Sequence, residues 1–166
     1  MLVFKIIDKI SEWTGKLFGW CVVILMLIIV YDIMLRAFGG ATKWVYETSW
    51  MLCGSMFLMG GAYVLLQKSH IRIDLLYNRF SIRHRATIDL IFYLLIFFPL
   101  IIILVTYGIP YTVRSWVTDE RSSFTFGVIP VYPVKTIIPL AFFLVGLQGI
   151  VEFVRTLITV IKGEAQ

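Results

Sequence analysis

Residues 90–109 read LIFYLLIFFPLIIILVTYGI, 20 consecutive positions without a charged side chain. A helix of this length extends about 30 Å at about 1.5 Å per residue, which matches the hydrocarbon thickness of a bilayer. The run also lacks the alternation of apolar and polar residues that a strand of a membrane barrel shows. It therefore predicts a helix that spans a membrane.

Three further apolar intervals of spanning length occur in the chain, at residues 17–38, 44–66 and 136–161. The whole chain is 60% apolar and 15% charged, far from the average soluble domain. The first interval is too long for the apolar core of a signal peptide, and Asp32 and Arg36 precede its only small-residue stretch. We interpret it as a retained anchor. The sequence predicts an all-α integral membrane protein, a single membrane domain with four transmembrane helices.

Lysine and arginine residues are divided unevenly between the two sides of this four-helix arrangement. Ten fall on one side: Lys5, Lys9, Lys16, Lys68, Arg72, Arg79, Arg83, Arg85, Arg155 and Lys162. Five fall on the other: Arg36, Lys43, Arg114, Arg121 and Lys135. Because cytoplasmic loops hold the excess of basic residues, we predict that both termini are cytoplasmic. The net charge of +5 then forms a belt against anionic lipid head groups, and we predict no nucleic-acid partner.

The segments outside the spans have patterns of their own. Residues 1–12 place apolar and charged side chains at helical spacing, which predicts a short helix on the cytoplasmic surface. Residues 67–87 form a basic cytoplasmic loop, and residues 111–134 form the longest segment on the outer side. Aromatic residues in that outer segment favour an interfacial belt over a docking surface. Pro99 predicts a kink in the third helix, and Pro110 marks its predicted end.

Few ionisable residues lie inside the spans. Asp32 and Arg36 are one helical turn apart near the outer end of the first helix, and Glu47 opens the second. Either a local Asp32–Arg36 pair or an Arg36–Glu47 bridge would lower the cost of placing these charges in a membrane. We interpret them as a structural clasp rather than a proton or ion relay, because no charged residue lies between Asp89 and Arg114 of the third helix.

The last helix and the second helix carry polar and small residues that favour helix packing. Gln148 is a candidate for an interhelical hydrogen bond, and Glu152 and Arg155 resemble a pair that snorkels to the membrane surface. Small residues such as Gly60 and Gly61 allow helices to approach closely, either within this chain or against a partner.

Signals for catalysis or cofactor binding are weak. His70 and Asp74 invite comparison with the His and Asp pair of membrane acyltransferases, but three residues separate them instead of four. His70 and His84 lie outside the spans, where they cannot hold a buried haem. The chain has no nucleotide-binding, zinc-ligand or nucleophile-elbow motif. We predict no catalytic residue, cofactor or metal. The alternatives are a membrane enzyme that uses His70 and Asp74, and a self-sufficient small channel or exporter.

The order of these features resembles the small membrane subunit, of the DctQ type, of tripartite ATP-independent periplasmic (TRAP) transporters. Gly60-Gly61-Ala62-Tyr63 followed by His70-Ile71-Arg72-Ile73-Asp74 is similar to the family pattern of small residues, then a His, a hydrophobe, a basic residue and Asp. Other matching positions are Arg36 at the end of the first helix, Trp44 and Glu47 at the start of the second, and Pro130 and Pro139 near the last.

The resemblance implies a subunit that scaffolds a large permease in the cell inner membrane and helps to dock a periplasmic substrate-binding protein. The outer segment is then a periplasmic loop. Uptake of an organic acid would be driven by a cation gradient, commonly sodium, with the substrate and sodium sites in the large subunit. The candidate structural and interface residues are Asp32, Arg36, Trp44, Glu47, Gly60, Gly61, His70, Arg72, Asp74, Pro130, Pro139 and Gln148.

Overall fold

The computed structural model describes residues 2–40, 42–67, 82–123 and 129–162, and most of these residues are helical. In chain order the helices are α1 (Leu2–Gly19), α2 (Cys21–Ala37), α3 (Lys43–Leu66), α4 (Ile82–Phe92), a π-helical turn (Tyr93–Phe97), α5 (Phe98–Val117) and α6 (Tyr132–Lys162). Among the described residues, extended pairing is limited to an isolated antiparallel bridge between Arg121 and Pro130.

Four stretches of helix are long and apolar enough to cross a membrane: Val3–Ala37, Trp44–Leu66, His84–Val117 and Tyr132–Ile161. The first combines α1 with α2, and the third combines α4, the π turn and α5. The prediction of an all-α membrane protein with four spanning helices is confirmed.

The first stretch is divided at Trp20, which lies in a turn between α1 and α2. Its 35 residues would extend about 52 Å as one straight helix, well beyond the roughly 30 Å of a hydrocarbon core. The charged residues of this stretch are concentrated in α1, whereas α2 is almost wholly apolar. The N-terminal helix is present and reaches Gly19, beyond the dozen residues whose pattern predicts it.

Two prolines lie within the third spanning stretch. Pro99 follows the π turn, in which the Phe98 N–H bonds to the carbonyl of Tyr93. A wider turn accommodates the proline ring and its missing donor, so the irregularity expected at Pro99 takes the form of a π turn. Pro110 lies inside α5, which continues to Val117, so its prediction as the end of the helix is wrong. An apolar environment favours continued helix because unravelled backbone there would lack hydrogen-bond partners.

Helix α6 is the centre of the packing, since it contacts α1, α3, α4 and α5. Its side chains at Ala141, Gln148 and Val151 are among the most deeply buried of the described residues. The α2–α3 turn and the segment between α5 and α6 define one end of the bundle, which we call the hairpin end. We call the opposite end, where α1 packs against the C-terminal half of α6, the terminal end.

Glycines on α6 let the third span approach closely. The ring of Phe97 fills the space beside Gly149, and a Cβ atom at Gly146 would lie 2.9 Å from Cγ2 of Ile101. The Phe97 ring is itself held by Tyr93 and Phe98, with ring centroids 5.2 and 5.6 Å away. Because these rings pack against each other, Phe97 cannot move aside without losing aromatic contacts.

We predict that Gly149→Ala destabilises the protein by about 1–2 kcal/mol, because overpacking against Phe97 outweighs the roughly 1 kcal/mol gain in helix propensity. Thermal unfolding in detergent measures the change. The matched control is Gly60→Ala on α3, where an added Cβ atom has no neighbour within 4 Å. Equal melting temperatures for the two variants would contradict the close approach of Phe97.

Candidate functional site

A cluster of five polar side chains joins α1 to α6 at the terminal end. We call Asp8, Ser11, Gln148, Glu152 and Arg155 the polar cluster. Ser11 Oγ donates a hydrogen bond of 2.8 Å to Gln148 Oε1, and Gln148 Nε2 donates one of 3.0 Å to Asp8 Oδ1. Arg155 donates to Asp8 Oδ2 and, over 2.6 Å, to Glu152 Oε1. One guanidinium therefore binds carboxylates from two helices.

Burial makes this cluster important to the packing. Gln148 is 0% exposed, Ser11 1% and Glu152 4%, while Asp8 and Arg155 are partly accessible. A polar group removed from water costs free energy unless it is hydrogen-bonded, and a charge costs more. The bonds within the cluster thus fix both the position and the rotation of α1 on α6.

The structure confirms Gln148 as an interhelical hydrogen bonder and corrects the interpretation of its neighbours. Glu152 and Arg155 do form the expected pair three residues apart. They are not a snorkelling pair at the surface, because Glu152 is buried and Arg155 also binds Asp8 of α1. The sequence pattern of α6 alone does not show which helix covers these residues.

We predict that Gln148→Leu lowers the free energy of unfolding by about 1–3 kcal/mol, because Ser11 and Asp8 each lose a buried hydrogen-bond partner. Thermal unfolding of the purified chain measures the loss. The control is Gln67→Leu, since the Gln67 amide donates to the Tyr63 hydroxyl at an exposed position, where we expect a change within about 0.5 kcal/mol. A loss of similar size in both variants would refute the role of the cluster.

A second set of polar contacts closes the α2–α3 turn. Arg36 Nε donates a hydrogen bond of 2.8 Å to Asp32 Oδ2, and the Thr42 hydroxyl donates to Asp32 Oδ1. Asp32 is buried although it lies near the end of a membrane-spanning stretch. Gly39 has a φ of +79°, and the Gly40 N–H bonds back to the Leu35 carbonyl over 2.9 Å, which ends α2.

These contacts form a clasp between the end of α2 and the start of α3. Of the two pairings considered for Arg36, the structure contains the local pair with Asp32. Glu47 is buried one turn into α3 and lines a groove described below. Trp44 packs near Tyr31 of α2, with ring centroids 6.3 Å apart.

The segment between α5 and α6 is held by an ion pair. Lys135 Nζ lies 2.6 Å from both carboxylate oxygens of Glu120, and Ser115 Oγ donates to Glu120 Oε2 over 2.7 Å. The same ammonium lies 4.3 Å from the centroid of the Tyr111 ring. Hydrogen bonds from Lys135 and Ser115 hold the pKa of the Glu120 carboxyl below its ordinary value, against a smaller opposing effect of burial.

Backbone pairing completes this hairpin. The Ser122 N–H bonds to the Ile129 carbonyl over 2.9 Å, and the Val131 N–H bonds to the Glu120 carbonyl over 3.0 Å, beside the bridge formed by Pro130. The Trp116 ring packs at a tilt against the ring of Tyr132, the first residue of α6, with 4.4 Å between the ring centroids. The expected outer segment 111–134 is therefore partly helical, with α5 continuing to Val117 and α6 beginning at Tyr132.

We predict that the protein becomes less stable to heat at low pH, because Glu120 at the hairpin end becomes protonated. Because its folded pKa lies below the ordinary value of 4.5, ionised Glu120 contributes stability above that pH. The contribution is lost as pH falls through the folded pKa. Melting temperatures measured from pH 6 to pH 3 should decrease less in Glu120→Gln than in the parent chain. Asp119→Asn, at the neighbouring exposed carboxyl, is the control and should keep the parent's pH dependence.

An apolar groove of about 470 Å³ lies between α3 and α6 at the hairpin end. Its lining residues are Tyr46, Glu47, Trp50, Met51, Gly54, Ser55, Leu58, Val131, Val134, Lys135 and Ile138. Apart from Glu47, Ser55 and Lys135, its lining residues are apolar or aromatic. A groove of this character suits an apolar chain or side chain rather than a polar solute.

The remaining predicted residues have different positions in the fold. Gly61 faces Val145 of α6, where a Cβ atom would be 3.2 Å from Cγ2, whereas the space beside Gly60 is open. Pro139 lies inside α6 and packs beside Gly108 of α5. The other three candidates, His70, Arg72 and Asp74, lie outside the described residues.

Sequence reasoning missed the partners that complete the polar cluster and the ion pair between α5 and α6. Asp8 and Ser11 were part of the pattern of the N-terminal helix. Glu120 belongs to the outer segment, and Lys135 directly follows that segment. One signal was available for α1: Asp8, Ser11 and Gly15 are spaced by three and four residues, so small and polar side chains share one face. The interacting helix could not be read from that spacing.

The comparisons with known proteins agree with this architecture. A family model for the DctQ component of tripartite ATP-independent periplasmic transporters matches residues 25–159. The match extends from α2 through most of α6, so it includes the clasp, the hairpin and the α6 side of the polar cluster, whereas α1 precedes it. Among the curated proteins, none matches the chain. The chain belongs to the DctQ family and is a small membrane subunit of a tripartite ATP-independent periplasmic transporter.

Proposed function

We propose that this subunit braces the large permease subunit of its transporter in the cell inner membrane and helps to dock the periplasmic substrate-binding protein. The complex takes up an organic acid at the expense of a cation gradient, with sodium as the coupling ion. Both termini are cytoplasmic in this proposal, so the hairpin end faces the periplasm. The substrate and sodium sites belong to the large subunit.

The bracing role rests on one observation. Within the polar cluster, and likewise within the clasp, the buried polar groups are hydrogen-bonded to each other. Asp8, Gln148 and Arg155 link α1 to α6, and Asp32 and Arg36 hold the α2–α3 turn. These hydrogen bonds support a fixed arrangement of the helices. A rigid block of this kind suits a static support for a subunit that moves.

The apolar faces that point away from the bundle are suited to contact the permease. In the most apolar eighteen-residue part of the third span, no residue is buried within the chain. Helix α3 also exposes a line of large side chains at helical spacing, Tyr46, Trp50 and Phe57, next to the open Gly54 and Gly60. Such apolar faces pack equally well against lipid or against helices of a permease, and small residues favour close helix approach.

The hairpin supports the docking role. Its backbone pairing and the Glu120–Lys135 ion pair hold residues 120–122 against residues 129–131 and the first turn of α6. Arg114, Asp119 and Arg121 are exposed there. A binding protein that meets this end encounters these charged groups, which favours rapid and specific encounter.

Affinity purification of the tagged chain from its native membrane in mild detergent tests the proposal. We expect mass spectrometry to identify a large multi-span permease in roughly equimolar amount. Reconstitution then tests the bracing role: the permease and binding protein should transport far more slowly without this subunit than with it. Recovery of this chain alone, or full transport by the permease without it, would contradict the proposed function.

A further inference from the structure

Helix α1 has three distinct faces, and the first is used for packing. Ser11 and Asp8 of this face belong to the polar cluster, and Gly15 lies against the Tyr63 side chain of α3. This face attaches α1 to α3 and α6 and prevents it from rotating. The other two faces point away from the bundle and have opposite chemistry.

The second face is a stripe of lysines. Lys5, Lys9 and Lys16 are all exposed and fall at helical spacings of four and seven residues. Glu12 lies among them and pairs with Lys16 over 2.5 Å. The stripe retains a net positive charge, directed away from the helices that α1 contacts.

The third face is a stripe of large apolar side chains that the described parts of this chain leave exposed. Its members recur every three or four residues along α1 and into the turn that follows it: Val3, Ile6, Ile10, Trp13, Leu17 and Trp20. Trp13 is 67% exposed and Trp20 68%. An apolar stripe beside a lysine stripe, with tryptophan among the apolar residues, is typical of helices that lie in a membrane surface.

The position of α1 in the fold agrees with such a location. Its bonds to Gln148 and Arg155 place it against the C-terminal half of that spanning helix, α6, away from the hairpin end. Five charged residues of α1 exclude it from the hydrocarbon core, yet its third face is too apolar for water. The boundary between head groups and acyl chains satisfies both requirements.

We infer that α1 is an anchor for anionic phospholipid, with Lys5, Lys9 and Lys16 binding the head groups and the Trp13 face inserted among the acyl chains. Charge complementarity selects an anionic lipid surface as the occupant rather than a partner helix, because an apolar partner helix would leave the adjacent lysines unmatched. The inference is independent of the proposed function. The polar cluster sets the rotation of α1 and so directs both stripes to the membrane.

A lipid titration on the full chain in detergent tests the lysine stripe. The probes are fluorescent phosphatidylglycerol and fluorescent phosphatidylcholine. Removing the three charges together, as Lys5→Gln, Lys9→Gln and Lys16→Gln, should weaken binding of phosphatidylglycerol roughly 100-fold, about five-fold for each lysine. Binding of phosphatidylcholine should not change. The matched control changes the same three residues to arginine and should bind both lipids as the parent does. A loss below about five-fold in the glutamine variant would overturn the inference.

Photo-cross-linking in native membranes tests the occupant of the apolar stripe without altering the lysines. A photoreactive phenylalanine analogue at position 13 should yield adducts with the mass of a phospholipid. A cross-link from position 13 to a protein, whether the large permease or a second copy of this chain, would overturn the inference and identify that face as a protein interface.

Discussion

A polar group buried between helices has no water to bind, so it costs free energy unless another group of the protein bonds to it. In this chain that requirement is met by Gln148, which binds both Ser11 and Asp8 while remaining fully buried. The bonds to α1 exist only when α6 and α1 are correctly placed and rotated. The arrangement of the terminal end therefore depends on one amide side chain and the guanidinium of Arg155 beside it.

Helix α6 combines two kinds of packing on different faces. Gln148 and Glu152 face the polar contacts, while Gly146 and Gly149 receive Ile101 and Phe97 from the third span. Directional hydrogen bonds fix rotation, and close apolar packing fixes distance. A helix that performs both tasks can hold the remaining helices around it, which is the property that a bracing subunit needs.

Composition and hydropathy were sufficient to predict the helical class and the four spans, because the length of an apolar run is a property of the local sequence alone. The Asp32–Arg36 pair could also be predicted, since its two residues are one helical turn apart. The polar cluster could not be predicted, because Asp8 and Arg155 are separated by most of the chain. The prediction that the third helix ends at Pro110 was wrong, because proline disfavours a helix in water, whereas ending a helix within a membrane costs more.

The π turn at Tyr93–Phe97 has a consequence for how the length of this chain can vary. Such a turn holds one residue more than an α-helical turn does. Because the wider turn absorbs that extra residue, deleting one residue there would restore a regular α-helical turn and leave the helix on either side in nearly the same rotational phase. Ile101 would then still face Gly146 of α6. A one-residue deletion in a regular part of the third span would instead rotate the helix beyond it by about 100°.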